Sequence, residues 1–314
     1  LYQKGLAYQG YRVLPYCPKD ETPLSNHELR MDADVYQDRQ DLSVAVAVKM
    51  RDEDAYAVFW TTTPWTVPGN MAIVVGPDID YSLVQPVNGP FAGKKMYFAT
   101  ALLGDFAKEL GEGYQVLRTL KGSELEGRRY WPVLPYFLDG SLTSPDGKAC
   151  EDPNAFTIYT ADYVDMAEGT GLVHQAVYGE DDINTLNKHQ IRTVDYLDEG
   201  CRFTSLIPEY QGTMVFEANS RIVRDLRNQT GVMASVPEDQ RGFLVRDKSY
   251  VHSYPHCWRC GTPLIYKPVS SWFVSVTKIK DRLLKHNQEI NWIPENVKDG
   301  QFGKWLSNDR DWSI

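Results

Sequence analysis

Three stretches of this chain carry side chains that can do chemistry. The first is Trp60-Thr61-Thr62-Thr63-Pro64-Trp65-Thr66-Val67-Pro68-Gly69-Asn70, which follows a strand pattern. Its two prolines hold the backbone extended and interrupt any ladder, so the threonine hydroxyls are presented at a bend instead of being paired within a sheet. Such a wall can hydrogen-bond a ribose, an ester carbonyl and an attacking water, while Trp60 and Trp65 shape an apolar or stacking pocket. A plain strand ending in a proline-rich turn with core tryptophans has the same composition, and composition alone favours it. The second stretch runs from Gly169-Thr170-Gly171 through Leu172-Val173-His174-Gln175-Ala176 to Glu180-Asp181-Asp182. Gly171 and its neighbour mark a tight backbone approach, His174 ends a buried strand, and the acids sit where a helix begins. A carboxylate there can grip the ammonium of an amino acid; acids at a helix start are equally good caps, and a histidine at a strand end is commonly structural. The third is Cys257-x-x-Cys260 with Cys17 far upstream in Cys17-Pro18-Lys19-Asp20. Tetrahedral zinc takes two soft ligands from each such knuckle. Cys17, Asp20, Cys257 and Cys260 are therefore a candidate zinc set, with His252 or His256 as substitutes, and a metal-free remnant fits the pattern equally. Cys150 and Cys201 read as isolated thiols.

The elements that must position these groups are mostly strands. From Leu42 to about Val177, short runs rich in Val, Tyr, Phe and Thr recur between turn signals: 43–49, 56–61, 71–75, 81–87, 95–99, 114–120, 156–164 and 171–174. That spacing predicts an α+β fold whose sheet is a curved or closed, mainly antiparallel β-barrel with peripheral helices. The clearest helix is expected at 220–229, where Ile222, Val223 and Leu226 make an apolar stripe and Gly231 stands near the stop. Others are expected at 101–110, after Gly179 and at 277–287, and Ser25-x-x-Glu28 has the form of a capping box. The expected divisions are an N-terminal stem over 1–40, a main domain over 41–248 and a returning C-terminal stem over 249–314. The two stems together make a small zinc-ribbon-like unit.

Hydrophobic residues at 42% and charged residues at 24% are ordinary for a globular protein, and 314 residues suffice for a large core. A net charge of −9 rules out a broad basic field, so any nucleic-acid contact must be local. The basic clusters at Lys94-Lys95, at Lys121 with Arg128-Arg129, and at Arg221, Arg224 and Arg227 read singly as solvated faces. No apolar run approaches the ~18 residues of a membrane span, and the odd cysteine set fits a reducing compartment. A cytoplasmic location is expected, with no membrane partner. A start at Leu1 and an end in mid-pattern at Ile314 suggest a piece of a longer protein.

Taken together, the motifs resemble a known family. Trp-Thr-Thr-Thr-Pro-Trp-Thr-x-Pro-x-Asn and Gly-Thr-Gly-x-Val-His-Gln-Ala are similar to the two halves of the editing pocket of isoleucyl-tRNA synthetases. These belong to the class I valine, leucine and isoleucine synthetases, and the matching segment is their connective-peptide editing domain. Lys121-Gly122-Ser123-Glu124-Leu125, Thr160-Ala161-Asp162-Tyr163-Val164, Val215-Phe216-Glu217-Ala218-Asn219 and Tyr254-Pro255-His256-Cys257-Trp258-Arg259-Cys260 follow the same family in the same order. Valine and leucine enzymes typically carry Thr-Thr-Arg-Pro, whereas Thr63 precedes Pro64 here.

The resemblance implies hydrolytic proofreading of valine attached to tRNA(Ile), with valyl-adenylate as a further substrate. The partners it implies are the acylated tRNA 3′ end and the rest of the synthetase. It implies no cofactor for editing. Thr61, Thr62, Thr63 and Asp182 would be catalytic: the threonines bind ribose or ester and position water, and Asp182 holds the ammonium. Trp60, Trp65, Asn70, Gly171, His174 and Asp181 would bind substrate, with His174 and Trp65 lining the side-chain pocket. The loop from His174 to the acids is one residue shorter than usual and lacks its proline, which makes Asp181 a second candidate for the ammonium. The adenylating signatures, His-x-Gly-His and Lys-Met-Ser-Lys-Ser, are absent. The competing expectations are a tRNA-binding insertion that has lost hydrolysis and an editing domain of a valyl or leucyl enzyme.

Overall fold

The computed structural model describes residues 1–25, 28–31, 35–111, 113–138, 142–143 and 149–313. They fall into two compact units, one made of residues 14–267 and a smaller one made of residues 1–13 with 268–314.

In chain order the strands are β1 (Ala7–Cys17), β2 (Thr22–Pro23), β3 (Tyr36–Lys49), β4 (Tyr56–Thr61), β5 (Ala72–Val75), β6 (Asp80–Pro86), β7 (Met96–Ala99) and β8 (Tyr114–Lys121). They continue as β9 (Leu142–Thr143), β10 (Ala149–Cys150), β11 (Thr157–Thr160), β12 (Leu172–Gln175), β13 (Phe243–Pro255), β14 (Ile265–Val274) and β15 (Trp312–Ser313). The helices are α1 (Glu28–Met31), α2 (Ala107–Leu110), α3 (Glu180–Lys188), α4 (Val215–Asn228), α5 (Lys280–Glu289) and α6 (Gln301–Ser307).

The larger unit is built on a nine-stranded sheet of order β11-β5-β12-β4-β7-β6-β8, with β3 joined to β4 and β13 to β3. Among the described residues, β3–β13, β3–β4, β5–β12, β6–β7 and β6–β8 are antiparallel. The pairs β5–β11, β4–β12 and β4–β7 are parallel. Strand β4 organises the sheet. Its pattern Tyr-Ala-Val-Phe-Trp-Thr is buried at every position but Trp60, as befits a strand covered on both faces. One edge lies along β3; the other is shared, with β7 beside Tyr56 and Ala57 and β12 beside Trp60. A strand with three neighbours splits one edge into two diverging arms, and with the ordinary twist the sheet curls into an open half-barrel and does not close. Alternation then sorts β4 by face: Tyr56 and Val58 enter an apolar cluster with Ala45, Val84, Met96, Phe98 and Phe106, against which Trp60 also packs. Phe59 and Thr61 therefore face the other way.

Helix α4 starts at Val215, five residues before the apolar stripe predicts, because the Val215–Asn219 segment is its first turn. It ends at Asn228, close to the expected stop, capped by Gln229 in the left-handed conformation (φ 54°). The expected helix over 101–110 is a 3₁₀ turn (Thr100–Phe106) that becomes α-helical only at Ala107; Gly104 weakens the longer helix. The capping box is realised: Ser25 N–H donates to Glu28 Oε2 (2.8 Å) and Glu28 N–H to Ser25 Oγ (3.3 Å).

In the smaller unit, β14 pairs with β15 through Phe273–Ser313 and Val274–Trp312, and α5 packs on α6. Buried Asn287 donates to Lys298 O (2.8 Å) and accepts from Trp292 Nε1 (2.9 Å). No described helix is long and apolar enough to cross a membrane.

Candidate functional site

Strand β4 ends at Thr61, and the chain passes through Thr62 and Thr63 into a buried 3₁₀ turn, Pro64–Gly69. Proline at the first position of the turn needs no partner for a missing N–H, and the remaining groups are tied down from outside. Trp65 N–H donates to Asn219 Oδ1 of α4 (2.9 Å), and the Tyr196 hydroxyl reaches Trp65 O and Thr66 O at 3.4 and 3.3 Å. A Cβ at Gly69 would lie 2.2 Å from the Tyr196 ring, so only glycine fits there. The hydroxyls within the bend connect to one another: Thr61 Oγ1 to Thr63 Oγ1 at 3.0 Å, and Thr63 Oγ1 to Thr66 Oγ1 at 3.2 Å. Thr62 is half-buried, and its hydroxyl is without a protein partner among the described residues.

Strand β12 brings His174 to this wall. Its ring stacks on Phe59 (centroids 5.2 Å apart), its Nε2 is 2.7 Å from Thr66 Oγ1 and its Nδ1 is 3.1 Å from Asn70 Nδ2. Burial lowers the His174 pKa to about 3, so the ring is neutral near pH 7. Two residues on, Ala176 N–H donates to Asp182 Oδ2 (3.2 Å), and a Cβ at Gly179 would come within 2.9 Å of the Asp182 carboxyl carbon. Part of Asp182 reaches solvent, yet its carboxyl is enclosed. Desolvation pushes its pKa up to about 7, with the Ala176 amide opposing and the Asp181 charge adding a smaller push. The loop between His174 and Asp182 is packed: Val177 and Tyr178 are buried, and Tyr178 meets Trp65 edge to face at 4.9 Å. Tyr163 ties α3 to β12 by bonding both Gln175 Oε1 (2.8 Å) and Thr185 Oγ1 (2.9 Å).

A second constellation lies at the ends of the larger unit. Cys17, where β1 turns into β2, and Cys257 to Cys260, in the turn between β13 and β14, meet Asp20 with all four ligand atoms within 4.8 Å of one another. Cys17 Sγ is 3.4 Å from Cys260 Sγ, and Cys257 Sγ is 3.3 Å from Asp20 Oδ2. His252 and His256 do not join this set: His252 Nε2 bonds Asp41 (3.1 Å) and His256 Nδ1 bonds Tyr254 O (2.9 Å). Three thiols and one carboxylate on two facing knuckles form a donor set that fits tetrahedral zinc. Cys201 is buried and free, at a left-handed backbone (φ 56°); the Cys150 side chain lies outside the described residues.

Compared with known proteins, residues 1–314 match the family model of the tRNA synthetases class I (I, L, M and V). The chain belongs to the class I tRNA synthetases. Over its whole length this synthetase chain is 70% identical to 28% of the isoleucine–tRNA ligase of Bifidobacterium longum, and 49% identical to 28% of that of Mycobacterium leprae. It thus spans a little over a quarter of those relatives. Among solved structures it is similar to the Plasmodium knowlesi cytosolic leucyl-tRNA synthetase editing domain, at 12% identity and a TM-score of 0.42, over 66% of this chain and 96% of that one.

Of the site residues expected from the sequence of this class I synthetase chain, Thr61, Thr63, Trp65, Asn70 and His174 lie in one connected group. Asp182 joins them through Ala176. Asp181 is exposed on α3. Trp60 packs on the opposite face of β4, edge to face with Tyr250 at 5.9 Å. Gly171 (φ 77°) allows a close approach, since a Cβ there would stand 2.3 Å from that of Ala99. Thr66, Tyr130, Tyr196 and Asn219 carry contacts of the site but have no role assigned from the sequence, although Thr66 and Asn219 stand in motifs noted there. Thr66 is within reach, three residues after Thr63 in the same turn, and Asn219 ends a family-like segment, whereas Tyr130 and Tyr196 carry no local signal.

Proposed function

We propose that this chain is the hydrolytic proofreading module of an isoleucine–tRNA ligase, cleaving valine from mischarged tRNA(Ile). One observation carries the reading: Thr66 and His174, 108 residues apart, lie 2.7 Å from each other, which supports taking the hydroxyl bend and the strand leading to Asp182 as one site. In this reading Asp182 holds the substrate ammonium by a charge-assisted hydrogen bond and thereby fixes the ester relative to water. Thr61, Thr62 and Thr63 face the ester and ribose, and Trp65 and His174 bound the side-chain pocket. Asp181, exposed one residue earlier, adds negative charge at the same helix start. His174, neutral and bonded at both nitrogens, shapes the pocket and is not cast as a base. Valyl-adenylate is a second substrate of the same chemistry. The tRNA 3′ end and the remainder of the ligase are the partners, in the cytoplasm.

The need for such a module follows from magnitudes. Valine lacks one methylene of isoleucine, which a pocket converts into only about 1–3 kcal/mol, and this amino-acid pair is itself the standard case for which that figure is quoted. A second pocket that admits valine and excludes isoleucine by its bulk supplies the missing discrimination. The cysteine site is proposed to hold zinc through Cys17, Asp20, Cys257 and Cys260, as a structural clasp with no part in hydrolysis.

The test is deacylation of valyl-tRNA(Ile) and isoleucyl-tRNA(Ile) by the chain. The valyl ester is expected to be cleaved and the isoleucyl ester spared. Absence of cleavage, or equal cleavage of both, would overturn the proposal.

A further inference from the structure

The hydroxyls of the bend do not all have the same capacity toward a ligand, because fixed backbone groups decide where their protons point. Asn70 Nδ2 donates to Ala72 O (3.0 Å), and a carbonyl can only accept; the amide nitrogen is therefore the group that faces His174 Nδ1. Tyr130, fully buried, donates to the other end of the amide, Asn70 Oδ1, at 2.7 Å. Nδ1 thus accepts, and the proton of the neutral ring sits on Nε2, directed at Thr66 Oγ1. An independent constraint gives the same answer. Thr66 has one hydroxyl proton, already committed to Thr63 O (2.8 Å), so toward Nε2 it can only accept. With that proton used, Thr63 must donate to Thr66, and Thr61 must in turn donate to Thr63. Thr63 N–H fills one acceptor position on Thr61 Oγ1 (3.1 Å).

We infer that the hydroxyl row of the bend is polarised in one direction: toward a substrate Thr61 and Thr63 can only accept hydrogen bonds, Thr62 is the one of these three hydroxyls that can donate, and Asn70, clamped by Tyr130 and Ala72, is the positioning residue that sets this direction. The inference rests on the proofreading reading for its chemistry. In ester hydrolysis the water oxygen forms a bond to the carbonyl carbon, and the bond from that carbon to the ribose oxygen breaks with its electron pair left on the ribose. The water proton ends on the ribose oxygen, giving the free amino acid and a ribose hydroxyl. Thr61 and Thr63 orient the water by accepting its hydrogen bonds without taking a proton. Thr62 Oγ–H is the hydroxyl that stabilises the carbonyl oxygen as it gains negative charge.

Two measurements on the full chain test this. In nitrogen-15 histidine NMR, His174 is expected as the neutral Nε2–H tautomer throughout about pH 5–8. Asn70→Asp removes the donor to Nδ1 and is expected to move the ring proton to Nδ1, with kcat for valyl-tRNA(Ile) falling more than KM rises. In single-turnover deacylation, Thr62→Val is expected to lose about 10²–10³-fold in rate, with Thr62→Ser restoring most of it. A wild-type Nδ1–H tautomer or a protonated ring overturns the polarity, whatever the activity. An unchanged rate in Thr62→Val overturns the donor role. A wild-type chain without esterase activity overturns the donor role together with the proofreading reading, while the tautomer alone still decides the polarity.

Discussion

Asp182 and His174 are buried ionisable groups eight residues apart, and burial makes them act oppositely on pH. The Asp182 carboxyl, with its pKa raised to about 7, binds a proton that an unfolded aspartate would have released. Stability therefore falls as pH rises from about 4 to 7, and Asp182→Asn should remove that fall, gaining on the order of 1–3 kcal/mol at pH 8. His174, with its pKa lowered to about 3, leaves unbound a proton that the unfolded chain takes up, so stability is lost as pH falls from about 6.5 toward 3. Urea titrations at a series of pH values separate the two. In the proposed role Asp182 would have to be ionised to hold an ammonium, so under that proposal kcat/KM for valyl-tRNA(Ile) should rise through about pH 7. A flat profile would remove Asp182 from that role. Tyr130→Phe strands the buried Asn70 carbonyl oxygen and should cost about 1–3 kcal/mol, read from the denaturation midpoint. The threonines, the histidine and the acids were legible in sequence because they are clustered and chemically pointed. The roles of Tyr130 and Asn219 were not, because their partners lie 60 and 154 residues away; Asn219 stands in a family-like segment that does not say what it bonds.

At the level of elements, turn punctuation and β-branched runs place seven of the nine strands of the curled sheet to within a few residues, whereas β3 starts at Tyr36, seven residues earlier than they indicate, and β13 (Phe243–Pro255) is not anticipated. Sequence could not show that β4 shares one edge between β7 and β12, since parallel pairing between distant segments leaves no local mark. That sharing is what places His174 beside Phe59 and the threonine bend. The α4 start was misjudged for a related reason: its first turn is read as loop until Asn219 is seen bonding the Trp65 amide. The 3₁₀ turn leaves no room at Gly69, and Gly69→Ala, which drives a methyl into the Tyr196 ring, should cost about 1–3 kcal/mol in a thermal melt. Wild-type stability in that variant would show that the turn yields. The knuckles were legible as paired ligands, and Asp20 as the fourth was an expectation that the shared position of the four side chains supports.

For the molecule as a whole, the acidic balance sets what the chain can do alone. Its basic clusters are largely spent on internal partners: Lys121 pairs with Asp80 at 2.8 Å, Arg128 with Glu53 at 2.6 Å, Arg129 with Glu151 at 2.7 Å and Arg227 with Asp247 at 2.7 Å. With these pairs formed and a net charge of −9, the chain presents no broad basic field to phosphates, so by itself it should bind tRNA weakly. Steady-state deacylation should show a KM higher than that of a full-length ligase, with a similar kcat. The cysteine clasp bears on this from another direction. Cys17 and Cys260 lie close to the two ends of the larger unit, and their sulfurs are 3.4 Å apart. The polypeptide therefore enters and leaves that unit through a single doorway. A cassette so arranged can be lodged in a surface loop of a host enzyme without prising the host apart, and its tethers fix where the cassette hangs while leaving its own interior unchanged.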